Sequence, residues 1–303
     1  MAIVQKSFPS ARIFFGGSRL IFHDLRMTAN QNHQPKCILC DRALHLVGQD
    51  FTGRKIFKCE QCAYVMTPLA AEAENLALYD NPEYFDGWGC NLEFDYERFE
   101  PSVHQQVRDY LDFIAAHAPG KSLLDVGTGS GLLPHMARSM GYEVEGTDLS
   151  KHVSDNVPAK AGFPIHHGAL EEIEFARKYD IITMLHVLEH TSNPLTTLRK
   201  CRELLNDGGY LIVVVPNYES LDSHIKDVLS KLKLKSRPYK HLALGHHNFV
   251  FSIGSLEILG QKAGLRVVHK QTRQPAWRAS RWHRVLERYQ MATWCWIVYQ
   301  NAN

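Results

Sequence analysis

Between residues 122 and 215 the chain alternates short apolar runs with amphipathic stretches, and the two hydrophobic periods separate cleanly. Runs at 122–126, 142–147, 164–167, 180–185 and 210–215 predict strands, and the stretches between them, with apolar positions three and four apart, predict helices. Strands that alternate with helices in this way form a parallel sheet. Upstream, Val103, Val107, Tyr110, Leu111 and Ile114 recur at helical spacing and predict a helix over 101–117. Downstream, a helix over 255–263, a strand over 266–270, a helix over 281–289 and a strand over 294–298 extend the sheet by two terminal strands. The expected fold class is α/β.

The pattern breaks after Pro216. Residues 217–250 contain a lysine-rich amphipathic stretch at 225–235, then His241, His246 and His247 before Phe249-Val250-Phe251. A basic helix face is commonly just solvated, but an insertion after a strand's carboxyl end also stands where it can cover a substrate. Before the first core helix, Thr67-Pro68 marks a boundary, 70–79 reads as a short helix, and Tyr79, Tyr84 and Phe85 crowd a turn. Those aromatics either plug a domain junction or form a lid over a flat ligand.

At the first strand's end, Leu124-Asp125-Val126 runs into Gly127-Thr128-Gly129-Ser130-Gly131. Glycines there let the backbone take positive φ and let a ligand approach without meeting a Cβ. The spacing is G-x-G-x-G, and Leu132 holds the place of the last glycine in the dinucleotide fingerprint, which weakens a dehydrogenase reading. The following helix runs to about Met140, with Gly141 as its stop. The second strand ends in Asp148, 17 residues after Gly131, where an acid can accept both hydroxyls of a ribose.

Four of the 7 cysteines, Cys37, Cys40, Cys59 and Cys62, fall as C-x2-C-x18-C-x2-C, the spacing of a tetrathiolate zinc site. The residues between the knuckles read as strands of a small ribbon, too short to bury a core of its own, so a structural zinc would supply folding energy. Four thiolates leave no position for water, which argues against a catalytic metal there. Disulfides are the alternative, disfavoured in a chain with no secretory signal. Cys90, Cys201 and Cys295 stand apart and read as buried or semi-buried thiols.

Composition narrows the function classes. With 303 residues, 45% hydrophobic and 22% charged, the chain is globular, and a net charge of +2 gives no whole-chain field toward nucleic acid or anionic membrane. No apolar run is long enough to span a membrane, and the first 30 residues, with Arg12, Arg19 and Arg26 between short apolar pieces, lack a cleavage site, so they read as a loose or transit-like extension. The expected location is the cytoplasm. The expected division is an extension over 1–33, a zinc ribbon over 34–68, an aromatic linker and cofactor-covering helix over 69–118, and a core over 119–303 with a substrate cap at 217–250.

Taken together, Leu124 to Gly131, Glu145-Gly146-Thr147-Asp148, Tyr179-Asp180-Ile181-Ile182, His186-Val187-Leu188-Glu189-His190 and Leu205-Asn206-Asp207-Gly208-Gly209 resemble the class I S-adenosylmethionine-dependent methyltransferases over 101–301. The paired knuckles before a Tyr-x4-Tyr-Phe segment resemble a subgroup with an amino-terminal zinc ribbon that includes sugar C-methyltransferases. The resemblance implies a Rossmann-like seven-stranded sheet with its last strand antiparallel. It implies an S-adenosylmethionine site in which Asp125, Gly127, Gly129 and Gly131 line the methionine and ribose side, Asp148 and Leu149 follow the ribose, and Ala169 and Leu170 meet the adenine. The family often has Gly-Asp where this chain has Gly168-Ala169, so backbone groups of Ala169 and Leu170, or Glu171, would replace that acid.

Methyl transfer from a sulfonium is an in-line displacement, so an enzyme mainly aligns donor and acceptor and removes the acceptor's proton. His186, at the carboxyl end of the fourth strand, is the first candidate base, and His190, His246 and His247 compete with it. His-x-x-Glu-His at a helix start also reads as capping and packing, since Glu189 falls where it favours the helix dipole. A third reading makes His186, Glu189 and His190 metal ligands with His246 or His247. Ubiquinone-pathway O-methyltransferases and small-RNA 2′-O-methyltransferases are similar here, with glutamate in place of His186, and imidazoles suit zinc or another transition metal better than magnesium. The leading expectation is a methyltransferase acting on a hydroxyl or carbon of a small metabolite or nucleotide-linked sugar. RNA 2′-O-methylation is second, and a noncatalytic methyltransferase-like protein whose ribbon binds a partner is third.

Overall fold

Seven strands form the central sheet: β4 (Ser122–Val126), β5 (Glu143–Asp148), β6 (Ile165–His167), β7 (Tyr179–Leu185), β8 (Leu205–Pro216), β10 (Arg266–Arg273) and β11 (Trp294–Gln300). A computed structural model describes residues 35–50, 53–62, 64–66, 96–242, 247–275 and 282–302. The expected features of 1–33, the 70–79 helix, the aromatic turn after it, Cys90 and His246 lie outside the described residues. The sheet order is β10-β11-β8-β7-β4-β5-β6, and β11 runs antiparallel to both neighbours, as the family resemblance implies. The parallel strands β4, β5, β6, β7 and β8 all point their carboxyl ends to one edge.

Alternation along each strand sends successive residues to opposite faces. Leu124, Ile182, Val213 and Ile297 pack on one face, with α4 (Pro194–Leu204) and α6 (Ile253–Lys262). Leu123, Ile181, Ile212 and Trp296 pack on the other, with α1 (Pro101–His117), α2 (Leu132–Ser139) and α3 (Lys151–Ala161). Caps place the helix starts: Ser150 accepts from Val153 N–H, Asn193 from Leu195 and Thr196 N–H, and Ser252 and Ser255 form a reciprocal capping box. β8 begins earlier than its apolar run suggests, because Leu205 pairs with Tyr179 before a register shift restores the ladder at Ile181 and Tyr210.

A second sheet holds β1 (His45–Gln49), β2 (Lys55–Lys58), β3 (Val65–Met66) and β9 (Phe249–Val250), in that order. One cysteine knuckle precedes β1 and the other joins β2 to β3, but the fourth strand comes from the far end of the 217–250 segment. Val65 pairs with Val250 and Met66 with Phe249. Buried Tyr64 stacks on Phe249 at 5.6 Å and packs against Phe251 at 6.1 Å.

The lysine-rich stretch forms α5 (Leu221–Lys231), turned opposite to its hydrophobicity. Its buried positions are Asp227 and Ser230, held by Tyr218 Oη (2.9 Å), His241 Nε2 (2.9 Å), the Lys226 carbonyl (2.7 Å) and the Tyr239 amide (3.0 Å). Leu221, Ile225 and Val228 face solvent, and Leu229 is half-buried. The last helix, α7 (His283–Arg288), packs on β10, and the Leu221 N–H donates to the Met291 carbonyl at 3.0 Å, joining the two helical segments.

Candidate functional site

The glycine loop leaves β4 as the sequence predicts. Gly127, Gly129 and Gly131 all have positive φ, and Gly131 caps α2 in the left-handed conformation. A Cβ on Gly127 would come within 2.5 Å of the Val187 side chain, so glycine lets the loop pack against the turn after β7. A Cβ on Gly129 would meet nothing within 4 Å, so the loop's middle borders open space.

Asp148, at the end of β5, closes that space. Its Oδ2 accepts from Gly129 N–H and its Oδ1 from Ser150 N–H, both at 2.8 Å. Carboxylate oxygens accept more than one donor each, so this geometry still suits a vicinal diol. The Asp148 carbonyl also accepts from Gly168 N–H at 3.0 Å, which brings Ala169 and Leu170 beside the same edge, and the Leu149 carbonyl meets His167 Nε2 at 3.1 Å. Leu170 is buried and Leu149 is exposed. One oxygen of Glu171 accepts from the Thr197 hydroxyl, and the carboxylate keeps acceptor capacity beside the backbone groups of Ala169 and Leu170.

Asp125 is buried below the loop and accepts from Thr183 Oγ1 at 2.6 Å. Burial pushes its carboxyl up to about 7; the Thr183 bond opposes that shift and the neighbouring Asp148 charge adds to it. A buried acid so close to neutral is suited to a cationic group arriving from the loop side.

The second cluster stands at the carboxyl end of β7. His186 adopts φ 59°, an uncommon conformation for a non-glycine residue, with its N–H donating to the Val214 carbonyl at 2.8 Å. Its Nε2 lies 3.1 Å from Tyr110 Oη, its Nδ1 3.7 Å from Glu189 Oε1, and its ring meets Trp294 edge-on at 4.6 Å. Glu189 is 1% exposed, and neither carboxylate oxygen has a hydrogen-bond partner among the described residues. Burial would raise its pKa, but His186, His190 and His247 outweigh that and hold it below the usual carboxylate value. Ligand atoms of Glu189, His190 and His247 lie within 4.8 Å of one another. Asn248 locks the group in place: its N–H donates to the Glu189 carbonyl (2.9 Å) and its side-chain amide to the His190 carbonyl (2.8 Å).

The three candidate histidines thus converge, and they converge on Glu189. From the sequence Glu189 is either a helix-dipole residue or a metal ligand beside His186 and His190; its place at the centre of the three histidines comes from the fold. Tyr110 and Asn248 carried no signal, since one belongs to a periodic helix face and the other to an irregular segment.

Cys37, Cys40, Cys59 and Cys62 form the other ligand set, with all four Sγ atoms within 4.8 Å of one another and no disulfide among the described residues. Burial raises the Cys37 thiol to about 11 and pushes Cys62 up as well, whereas hydrogen bonds from the Arg42 backbone and the neighbouring thiols hold Cys40 below its usual value against the effect of burial; a bound cation would favour the thiolate at all four.

Residues 96–270 match the family model described as a methyltransferase domain. The chain is 27% identical over 192 residues to the ubiquinone biosynthesis O-methyltransferase of Burkholderia pseudomallei, covering 60% of this chain and 78% of the relative. It is 29% identical over 151 residues to the protein of that name from Paraburkholderia xenovorans, covering 47% and 60%. Among solved structures, a SAM-dependent methyltransferase from Thermotoga maritima shares the fold at TM-score 0.51 and 19% identity, over 75% of this chain and 99% of that one. The CcbJ methyltransferase from Streptomyces caelestis shares it at TM-score 0.50 and 16% identity, over 71% and 98%.

Proposed function

This chain belongs to the methyltransferase-domain family as a class I S-adenosylmethionine-dependent methyltransferase, and from that premise we propose that it methylates a hydroxyl group of a small acceptor. The observation that carries the reading is the ring of His186, His190 and His247 around buried Glu189 at the end of β7. A hydroxyl must lose its proton as its oxygen takes the methyl group, and an imidazole with a carboxylate behind it accepts that proton at working pH. Bound at the glycine loop, S-adenosylmethionine supplies the electrophilic methyl. On this reading Asp125, Gly127, Gly129, Gly131 and Asp148 hold its methionine and ribose parts, and Leu149, Ala169 and Leu170 border the adenine. His186 takes the acceptor's proton, and Glu189 stabilises the imidazolium that results. The relatives named O-methyltransferases support oxygen over carbon. A net charge of +2 does not favour an extended nucleic-acid groove. Incubation of the protein and S-adenosylmethionine with a panel of phenolic, alcoholic and sugar-nucleotide acceptors, read by mass spectrometry, tests the reading. Methylation confined to carbon or nitrogen centres would overturn it.

One observation favours a second reading of the same cluster: the Glu189 carboxylate is buried with no hydrogen-bond partner among the described residues and His186 Nδ1 3.7 Å away, an arrangement that a cation would complete. Glu189, His190 and His247 could hold a transition-metal ion, which would polarise the acceptor oxygen. We also infer that the four knuckle cysteines hold a structural zinc, and that 217–250 covers the acceptor. Elemental analysis separates the two metal sets. One zinc per chain is expected, lost in a Cys59→Ser/Cys62→Ser variant. A second equivalent that survives this change and disappears in His247→Ala would select the metal-assisted reading, and its absence would leave the imidazole base.

A further inference from the structure

Helix α5 is inverted. Along it Leu221, Ile225, Val228 and Leu232 fall on one stripe and all face solvent, followed by Leu234, which is 68% exposed. The side that packs inward is polar, fixed by the bonds of Asp227 and Ser230, so the outward stripe is not a loosely docked core face. The adjoining segment repeats the arrangement, with Trp282 70% exposed and Val285 and Tyr289 also outward. Of 12 exposed large hydrophobics among the described residues, 8 lie in these two segments, whereas scattered single residues would be ordinary.

The charge around this patch is basic. Lys231, Lys233, Lys240, Arg284 and Arg288 are exposed, and Lys235 is partly so. The acids are fewer: Glu219 is exposed, Asp222 pairs with Lys226, and Glu287 accepts from the Gln274 N–H. An apolar stripe bordered by lysines, with a tryptophan and a tyrosine beside it, matches the chemistry of a bilayer interface: acyl chains for the stripe, headgroups for the rings, anionic phosphates for the lysines. We propose that α5 and the 282–289 segment dock the protein on the surface of an anionic bilayer. α5 follows β8 at its carboxyl end, so the docking surface is built on the same edge of the sheet as the site, and an acceptor dissolved in the bilayer has a short route to it.

Co-sedimentation of the full chain with vesicles tests this. Vesicles of phosphatidylcholine with phosphatidylglycerol should bind at least about tenfold more tightly than phosphatidylcholine alone, with affinity falling as salt rises. Changing Lys231, Lys233 and Lys235 to glutamine should weaken binding about fivefold per residue. An Ile225→Gln/Val228→Gln/Leu232→Gln variant should lose vesicle binding while S-adenosylmethionine affinity, measured by calorimetry, stays unchanged and reports an intact fold. Absence of binding to either vesicle, or binding that the triple apolar change leaves intact, would overturn the proposal. So would a wild-type dimer that the triple variant turns into a monomer without any vesicle binding, because the stripe would then cover a second copy.

Discussion

Glu189→Gln is expected to lower kcat by about 10²–10⁴-fold, the range over which a positioned acid-base system contributes, with S-adenosylmethionine affinity within about twofold of wild type. Glutamine fills the same space and keeps the fold, but it removes the one charge on which His186, His190 and His247 converge. The imidazolium formed on proton transfer then has no counter-charge behind it, and the loss falls on kcat rather than on KM. His186→Asn is the companion change, because asparagine tolerates the φ of 59° better than alanine while lacking the base. Steady-state rates and calorimetry on both variants check this, along with the acidic limb of the kcat profile, which should disappear in His186→Asn. A loss below about threefold in Glu189→Gln would reduce the residue to packing.

Asp148→Ala is expected to weaken S-adenosylmethionine binding by about 10²–10³-fold. Hydrogen bonds to a charged group contribute about 1.5–3 kcal/mol each, and the change removes the acceptor for the Gly129 and Ser150 N–H groups together with the proposed acceptor for the ribose. Asp148→Asn should lose less, and affinity unchanged in both would place the cofactor elsewhere. The same titration run against pH reads Asp125, whose carboxyl is raised to about 7. A cationic donor lowers that value, so binding should release protons below pH 7, tighten as pH rises toward 7 and level off above it. In the free protein the sign is that of a group raised above its unfolded value: its contribution to stability is fully present below about pH 4 and is lost as pH rises through about 7.

The inner strands β4, β7, β8 and β11 were legible because each carries an apolar run buried on both faces, and the end of β5 was legible because an acid closes its run. β9 was not. Two residues of apolar sequence carry no period, and their partner lies far upstream, so nothing local specifies the pairing. α5 was read as an amphipathic helix with its lysines solvated. Its orientation was hidden because Asp227 and Ser230 find their partners in Tyr218, His241 and Tyr239, so the polar side rather than the apolar side packs inward. The histidine cluster was visible as a motif, but its centre depends on the approach of His247, which the Asn248 bonds to the turn after β7 bring about.

Strand β9 also imposes an order on biosynthesis. The cysteine knuckles leave the ribosome early, while Phe249 and Val250 follow Met66 by about 180 residues. At about 5–20 residues per second the edge of β3 waits some ten to forty seconds before its partner exists. During that interval the nascent chain displays an open strand edge, the kind of surface on which chains join wrongly. Early zinc capture by the knuckles would hold that edge in shape until the carboxyl-terminal half arrives to close it.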